Sequence, residues 1–246
     1  LGLLIANAAQ SAESGQVKDI KDWNVAGGEK SEAMLLTPDR ERGIIVYEVC
    51  SACHLLEGWG AQDGTFPQIA GQHKNVLIKQ LADIRAKNRD NPTMYPFALD
   101  EQIMAVSGFK HGEISPAQLV ADVTAYTASL PMNPDNGKGT WNELFPEFAQ
   151  GKKLYEDNCV ECHGENGEGN DEKFYPKIQG QHYAYMMRQF EWIRDGKRRN
   201  ANPDMVEQIK NFSDKDMAMV INYVSRLKVP EKDLAPSVDY QNPDYD

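Results

Sequence analysis

The sequence predicts an all-α protein built from two copies of one helical unit. Two motifs with the same cysteine and histidine pattern end at His54 and His163, 109 residues apart. Apolar residues that follow each motif recur at helical spacing, and the period-2 alternation typical of strands is scarce. Apolar residues make up 41% of the 246 positions, which is enough for a packed core. We therefore expect two small helical domains in tandem.

Charge and hydropathy exclude several classes of protein. Lys and Arg number 26 and Asp and Glu number 37, which gives a net charge of −11. This balance argues against a protein that binds nucleic acid or an anionic membrane, because both need a basic face. No apolar run approaches the roughly 18 residues that a membrane-spanning helix requires.

The first 40 residues form an extension that precedes the repeated part. Leu1–Ala6 is apolar, and Ala6-Asn7-Ala8 resembles a small-x-small cleavage site. We interpret this segment as the remnant of a secretory signal peptide, which predicts an exported protein. The alternative is a short helix that docks on the protein or on a partner.

All four cysteines belong to the two motifs. They lie in Cys50-Ser51-Ala52-Cys53-His54 and in Cys159-Val160-Glu161-Cys162-His163. C-x-x-C-H is the attachment pattern of c-type haem: two thiols add to the porphyrin vinyl groups, and the next imidazole binds iron. The alternatives are a redox C-x-x-C, a zinc site of four thiolates, or disulfides. None of these needs both histidines, so we predict two covalently bound haem c groups.

The surroundings of the motifs repeat at a similar offset. Segments PQIAGQH and PKIQGQH end at His73 and His182 and precede predicted helices, so we expect these histidines at helix starts or on the surface. Upstream, Gly43 echoes Gly151. We predict that each glycine lets the first helix of its unit cross the last one closely, with aromatic side chains packed at the crossing. Residues before the last helices, Ser115 and Ser213, look like helix caps.

The far side of each iron decides the chemistry. Asn91-Pro92-Thr93-Met94 and Asn202-Pro203-Asp204-Met205 share the pattern N-P-x-M, and proline restricts the local backbone. A His/Met pair raises the reduction potential and closes the iron. Met94 and Met205 are therefore the candidate sixth ligands. An insertion after Met94, residues 95–114, contains Met104 and His111 as possible rivals.

These motifs together resemble the tandem dihaem class I cytochromes c of the bacterial periplasm, the c-four type. The resemblance implies a first cytochrome c domain at 41–131 (the first unit) and a second at 147–230 (the second unit), joined by a linker at 132–146. Residues 1–40, the 95–114 insertion and the acidic tail at 231–246 fall outside the resemblance. It also implies iron ligation by His54 and Met94 and by His163 and Met205. The family's Gly-x-Arg stretch is present as Gly196-Lys197-Arg198, but the first unit has Ala86-Lys87-Asn88-Arg89 instead.

The function predicted is electron transfer between periplasmic redox proteins, and not catalysis. Donor and acceptor could include a dehydrogenase, a flavoprotein or a terminal oxidase. The extension, the insertion and the tail favour an alternative, a cytochrome subunit of a larger dehydrogenase complex. A third hypothesis is a dihaem enzyme, which would need an exchangeable sixth ligand on one iron. The cluster Lys197-Arg198-Arg199 is either a solvated helix end, a partner for haem propionates or a patch that steers an acidic redox partner.

Overall fold

The computed structural model describes residues 23–24, 26–110 and 112–245. Within this part of the chain the regular structure is helical, and β structure is limited to two isolated bridges. The predicted signal-peptide remnant and His111 lie outside the described residues. The α-helices are α1 (Gly28–Leu35), α2 (Arg40–His54), α3 (Lys74–Arg85), α4 (Asp100–Ser107), α5 (Pro116–Ser129), α6 (Pro146–Asn158), α7 (Val160–His163), α8 (Tyr183–Arg194), α9 (Pro203–Ile209) and α10 (Asp214–Val224).

The first unit is organised by the crossing of α2 and α5. A Cβ on Gly43 would lie 2.6 Å from the Asp122 carbonyl oxygen, so only glycine allows the two backbones to approach this closely. One helical turn further along, the rings of Tyr47 and Tyr126 meet edge to face at 5.4 Å. The predicted glycine crossing is confirmed here.

The second unit repeats this crossing with α6 and α10. A Cβ on Gly151 would lie 2.1 Å from the Met219 carbonyl oxygen. Tyr155 and Tyr223 pack with ring centroids 5.5 Å apart, so the aromatic pair is repeated as well.

The last helix of each unit begins at the predicted cap. Ser115 accepts a hydrogen bond from the Gln118 amide at 3.2 Å. Ser213 and Asp216 form a reciprocal capping box. Each cap satisfies backbone donors that the first turn of a helix leaves without partners.

The repeated GQH segments lead into α3 and α8, as predicted, and they also form the junction between the units. His182 is fully buried, so the expectation of a surface residue is wrong for it. Its Nε2 lies 2.6 Å from the Trp59 carbonyl oxygen, and the equivalent contact joins His73 Nε2 to the Glu168 carbonyl oxygen at 2.7 Å. Each histidine therefore begins a helix in one unit while contacting the backbone of the other.

Two of the additions pack on the first unit. Helix α1 lies against α3 and α5, and α4 of the insertion lies against α2. Arg85 joins them, because its guanidinium contacts Glu29 of α1 at 2.7 Å and Asp100 of α4 at 2.6 Å. Both segments thus belong to the packed structure of this unit.

The tail also folds back onto the first unit. Asp244 pairs with Arg40 at 2.7 Å, and the Tyr245 hydroxyl donates to the Ile44 carbonyl oxygen at 2.8 Å. The Tyr240 ring lies 6.1 Å from that of Trp59. The tail therefore connects the end of the second unit to the α2–α5 crossing of the first.

Candidate haem sites

The two cysteine motifs lie at the ends of helices. Cys50, Cys53 and His54 occupy the last turns of α2, whereas in the second unit the chain breaks at Cys159 and resumes as the short α7. All four thiols are unpaired and half-buried. No three His, Cys, Asp or Glu side chains of the described residues come together as a metal site.

Apolar surroundings keep the first thiol of each motif neutral. Burial raises the pKa of Cys50 and of Cys159 to about 12. Cys50 packs against the core of the first unit and Cys159 against that of the second. Both sulfurs therefore lie at the edge of an apolar core.

The histidines that follow the motifs are buried and held in one tautomer. His54 Nδ1 lies 2.9 Å from the Pro67 carbonyl oxygen, and His163 Nδ1 lies 3.1 Å from that of Pro176. A carbonyl oxygen only accepts, so Nδ1 carries the proton and Nε2 keeps its lone pair. Burial lowers the pKa of both imidazoles, which favours the neutral form that binds metals.

The backbone turns sharply after each histidine. Gly164 makes the turn in the second unit at φ 78°, and Leu55 makes it in the first at φ 66° and ψ 165°, a region that side chains strongly disfavour. A tyrosine hydroxyl fastens each turn: Tyr47 donates to the Leu55 carbonyl oxygen at 2.9 Å, and Tyr155 donates to that of Gly164 at 2.6 Å.

Both N-P-x-M segments form capped turns. The Asn91 side chain accepts from the Met94 amide at 3.2 Å, just before a 3-10 turn over Tyr95–Ala98. Asn202 caps α9 by accepting from the Asp204 amide at 2.9 Å. Met94 and Met205 are both half-buried. The asparagine and proline thus fix the backbone from which each thioether projects.

The candidate methionines have different surroundings in the structure. Met205 packs against the same core cluster as Cys159, so one ligand segment and one attachment segment meet there. No corresponding core contact joins Met94 to Cys50 among the described residues. The rival Met104 is 8% exposed and lies in the core of the first unit beside Tyr47.

Two arginines meet at the junction of the units. Arg198 and Arg89 both donate to the Gln80 and Gln189 side-chain oxygens, over distances of 2.9–3.1 Å. Neither guanidinium forms an ion pair within the described residues. Burial, and then the charge of Arg89, lower the pKa of Arg198 to about 9. Both side chains are half-buried, and two like charges held together with neutral partners favour a nearby anion.

The arginines also explain a departure noted in the sequence. Arg89 precedes Arg198 by the same 109 residues as the cysteine motifs, although the first unit lacks the glycine of the Gly-x-Arg stretch. Lys87 stands where the second unit has Gly196, and both adopt a left-handed backbone, with φ 58° and 71°. The sequence did not single out Arg89, because the Gly-x-Arg pattern depends on a glycine that the first unit lacks. The repeat offset of 109 residues is the signal that could have identified this arginine.

Comparisons with known proteins agree with this architecture. The family model described as "Cytochrome c" matches residues 41–131 and again 148–228. The chain belongs to the cytochrome c family. It is 31% identical over 202 residues to "Cytochrome c4" of Stutzerimonas stutzeri, covering 77% of this chain and 89% of that one.

Two further comparisons support the tandem, dihaem type of cytochrome c. A "Thiosulfate dehydrogenase electron acceptor" of Stutzerimonas stutzeri (strain A1501) is 30% identical, with 72% of this chain and 78% of that one covered. The crystal structure of reduced recombinant cytochrome c4 from Pseudomonas stutzeri superposes with a TM-score of 0.59 and 30% identity, over 78% of this chain and all of that one. The predicted all-α fold of two tandem cytochrome c domains is confirmed.

This cytochrome c accordingly carries two covalently bound haem c groups and transfers electrons. Its own residues fit that cofactor. Unpaired thiols stand at the right spacing, and each following imidazole keeps its Nε2 lone pair. Two half-buried arginines, Arg89 and Arg198, form no ion pair within the described residues and could pair with haem propionates. Among the described residues, no helix has the length and apolar content needed to cross a bilayer.

Proposed function

We propose that this chain is a two-site electron carrier in which both irons keep His/Met ligation. Cys50 and Cys53 would hold the first haem and Cys159 and Cys162 the second. The axial pairs would be His54 with Met94 and His163 with Met205. Each haem, when bound, supplies a one-electron ferric/ferrous couple.

The observation that carries this proposal is the fixed tautomer of the two histidines. A carbonyl oxygen at 2.9 or 3.1 Å holds the Nδ1 proton, which orients each ring and leaves Nε2 for iron. Such a hydrogen bond also raises the basicity of the ligand. The capped N-P-x-M turns support methionine as the sixth ligand in both units, because a rigid turn can keep one thioether in place in both oxidation states.

The chain's residues would also favour rapid transfer. Covalent attachment, buried imidazoles and turns fastened by Tyr47 and Tyr155 restrict movement around each site. An unchanged ligand set keeps reorganisation small. Arg89 and Arg198 would hold propionates at the junction, which would place both cofactors against the same interface.

The periplasm is the proposed location, because the motifs resemble the tandem dihaem cytochromes c of the bacterial periplasm. Redox proteins on either side would be its partners. A relative named as an electron acceptor of thiosulfate dehydrogenase supports a dehydrogenase as the donor.

A spectro-electrochemical titration of the purified holoprotein tests the ligation. We expect two one-electron waves, a methionine–iron absorption of full intensity for two haems, and no rapid binding of carbon monoxide to the ferrous form. Half of that absorption, together with rapid carbon monoxide binding at one haem, would instead support a dihaem enzyme with an exchangeable ligand.

A second candidate is a cytochrome subunit of a larger oxidoreductase complex. The same relative favours it, since an acceptor can be a stable subunit. Size-exclusion of native material distinguishes the candidates. Elution as a lone 27.6 kDa species supports the free carrier, and co-elution with a dehydrogenase supports the complex.

A further inference from the structure

The junction between the units contains a reciprocal pair of glutamine contacts. Gln181 of the second unit accepts from the Gln68 amide at 3.1 Å and donates to the Gln68 carbonyl oxygen at 2.8 Å. Gln72 of the first unit accepts from the Lys177 amide at 2.9 Å and donates to the Lys177 carbonyl oxygen at 2.8 Å. Both glutamines come from the GQH segments, 109 residues apart.

Each glutamine contacts the peptide group that holds the other unit's histidine. The Pro67 carbonyl that accepts from His54 and the Gln68 amide that donates to Gln181 belong to one peptide bond. Likewise, the Pro176 carbonyl accepts from His163, and the amide of the same peptide bond donates to Gln72. A single peptide group thus separates each imidazole from a side chain of the opposite unit.

The orientation of the two side chains is fixed. Gln181 Oε1 also accepts from the His182 amide at 3.0 Å, and Gln72 Oε1 accepts from the His73 amide at 3.0 Å. Two amide donors on the oxygen and a carbonyl on the nitrogen leave only one assignment of the amide atoms. Gln181 is 9% exposed, so bulk water does not compete freely for this contact.

We propose that Gln181 and Gln72 are positioning residues that tune the haem of the opposite unit. This inference rests on the proposed ligation by His54 and His163. An amide N–H that donates to a glutamine oxygen polarises its peptide group, which makes the carbonyl a stronger acceptor. The histidine Nδ1–H bond is then polarised further, the ring becomes more basic, and the ferric state is favoured. Docking of one unit therefore lowers the reduction potential of the other.

The test is a redox titration of the holoprotein with glutamine replaced in one unit at a time. Gln181→Leu should raise the potential of the first haem, and Gln72→Leu that of the second. At a fixed applied potential, the ferrous-to-ferric ratio of the affected haem should rise about threefold. At about 59 mV per tenfold change in ratio, this corresponds to an increase of about 28 mV in its reduction potential. Met205→Ala, which removes the proposed ligand of the second unit, identifies which wave belongs to which haem.

Gln68→Leu is the matched control. Its buried side chain also crosses the junction, donating to the Gly180 carbonyl oxygen at 2.7 Å, but it does not contact either peptide group through its amide. We expect it to remove one junction hydrogen bond and to leave both waves in place, because the contacts of Gln181 and Gln72 with the two peptide groups remain. If Gln181→Leu does not fold, Gln181→Met keeps an unbranched side chain of similar length without the amide.

The inference requires a crossed pattern, in which each glutamine substitution shifts the reduction potential of the haem in the opposite unit. A shift in the haem of the mutated unit, equal shifts in both haems, no shift, or the same shift in Gln68→Leu would each overturn the inference. If Met205→Ala moves neither wave, the proposed ligation has failed, and this outcome is distinct from a failure of the crossed pattern.

Discussion

Arg89 and Arg198 donate hydrogen bonds to the same two amide oxygens, those of Gln80 and Gln189, across the junction of the units. The two arginines and the two glutamines are related by the repeat offset of 109 residues. Two guanidinium groups gathered in this way repel each other, and partial burial reduces the screening of their charges by water. A pair of carboxylates would turn this repulsion into attraction, and each haem c brings two propionates.

Arg198→Gln tests this role for the buried arginine. Removing a positive charge near a haem stabilises the ferric state, so we expect at least one reduction potential to fall. An interaction on the order of 1 kcal/mol corresponds to roughly a fivefold change in the ferrous-to-ferric ratio. The measurement is a redox titration of the holoprotein at physiological ionic strength.

Arg199→Gln is the matched control for this substitution. Arg199 is its neighbour in sequence, but it is exposed and pairs with Asp90 at 2.6 Å. Screening by water and salt should leave both potentials within a few millivolts of the parent. Equal shifts in the two variants would refute a specific role for Arg198.

Replacement of the proposed sixth ligands should distinguish between the three candidate methionines, Met94, Met104 and Met205. Met94→Ala and Met205→Ala should each remove about half of the methionine–iron absorption. Each should also lower one reduction potential by more than about 59 mV, which is a more than tenfold fall in the ferrous-to-ferric ratio. Met104→Leu should change neither, because Met104 is buried in the core beside Tyr47, and leucine preserves most of its volume. Loss of absorption in Met104→Leu would instead make Met104 the ligand.

Helix packing gives a prediction that concerns stability alone. Gly151→Ala would place a Cβ 2.1 Å from the Met219 carbonyl oxygen, so the two helices must separate. We expect a loss of about 1–3 kcal/mol, measured by denaturant unfolding followed through the visible spectrum. Gly108→Ala has open space around it, so its cost is limited to the left-handed backbone at φ 77°, about 1 kcal/mol. A larger loss there than in Gly151→Ala would contradict the packing argument.

Much of this fold follows from local sequence signals. The cysteine motifs, the caps at Ser115 and Ser213, and the crossing at Gly43 depend on residues close in the chain or on a spacing that repeats, so the sequence reveals them. The contacts of Gln181 with Gln68, and of Arg198 with Gln80, join residues more than 100 positions apart. Periodicity carries no information on how one unit docks against the other, so these contacts required coordinates.

His182 illustrates the same limit. Its place before α8 was correctly predicted as a helix start, yet the ring is fully buried between the units and accepts from the Gly137 amide at 3.0 Å. A polar residue at a helix start is usually solvated, and only the docking of the two units makes it an internal connection. The tail is similar, since its acidic composition favours solvent while its tyrosines pack on the first unit.

The turn after the first histidine offers a stabilising substitution. Leu55 adopts φ 66° and ψ 165°, where the equivalent Gly164 has φ 78° and ψ 171°. This region is almost restricted to glycine, and a side chain there costs of order 1–3 kcal/mol. Leu55 is 47% exposed, so its removal sacrifices little buried apolar surface. After the larger backbone entropy of glycine in the unfolded chain is subtracted, Leu55→Gly should stabilise the first unit by about 1 kcal/mol.

The reverse change, Gly164→Leu, should destabilise the second unit, because its Cβ would also meet the Glu168 carboxylate at 2.2 Å. Denaturant midpoints followed at the haem absorption check both, and a destabilised Leu55→Gly would show that the strain is absent.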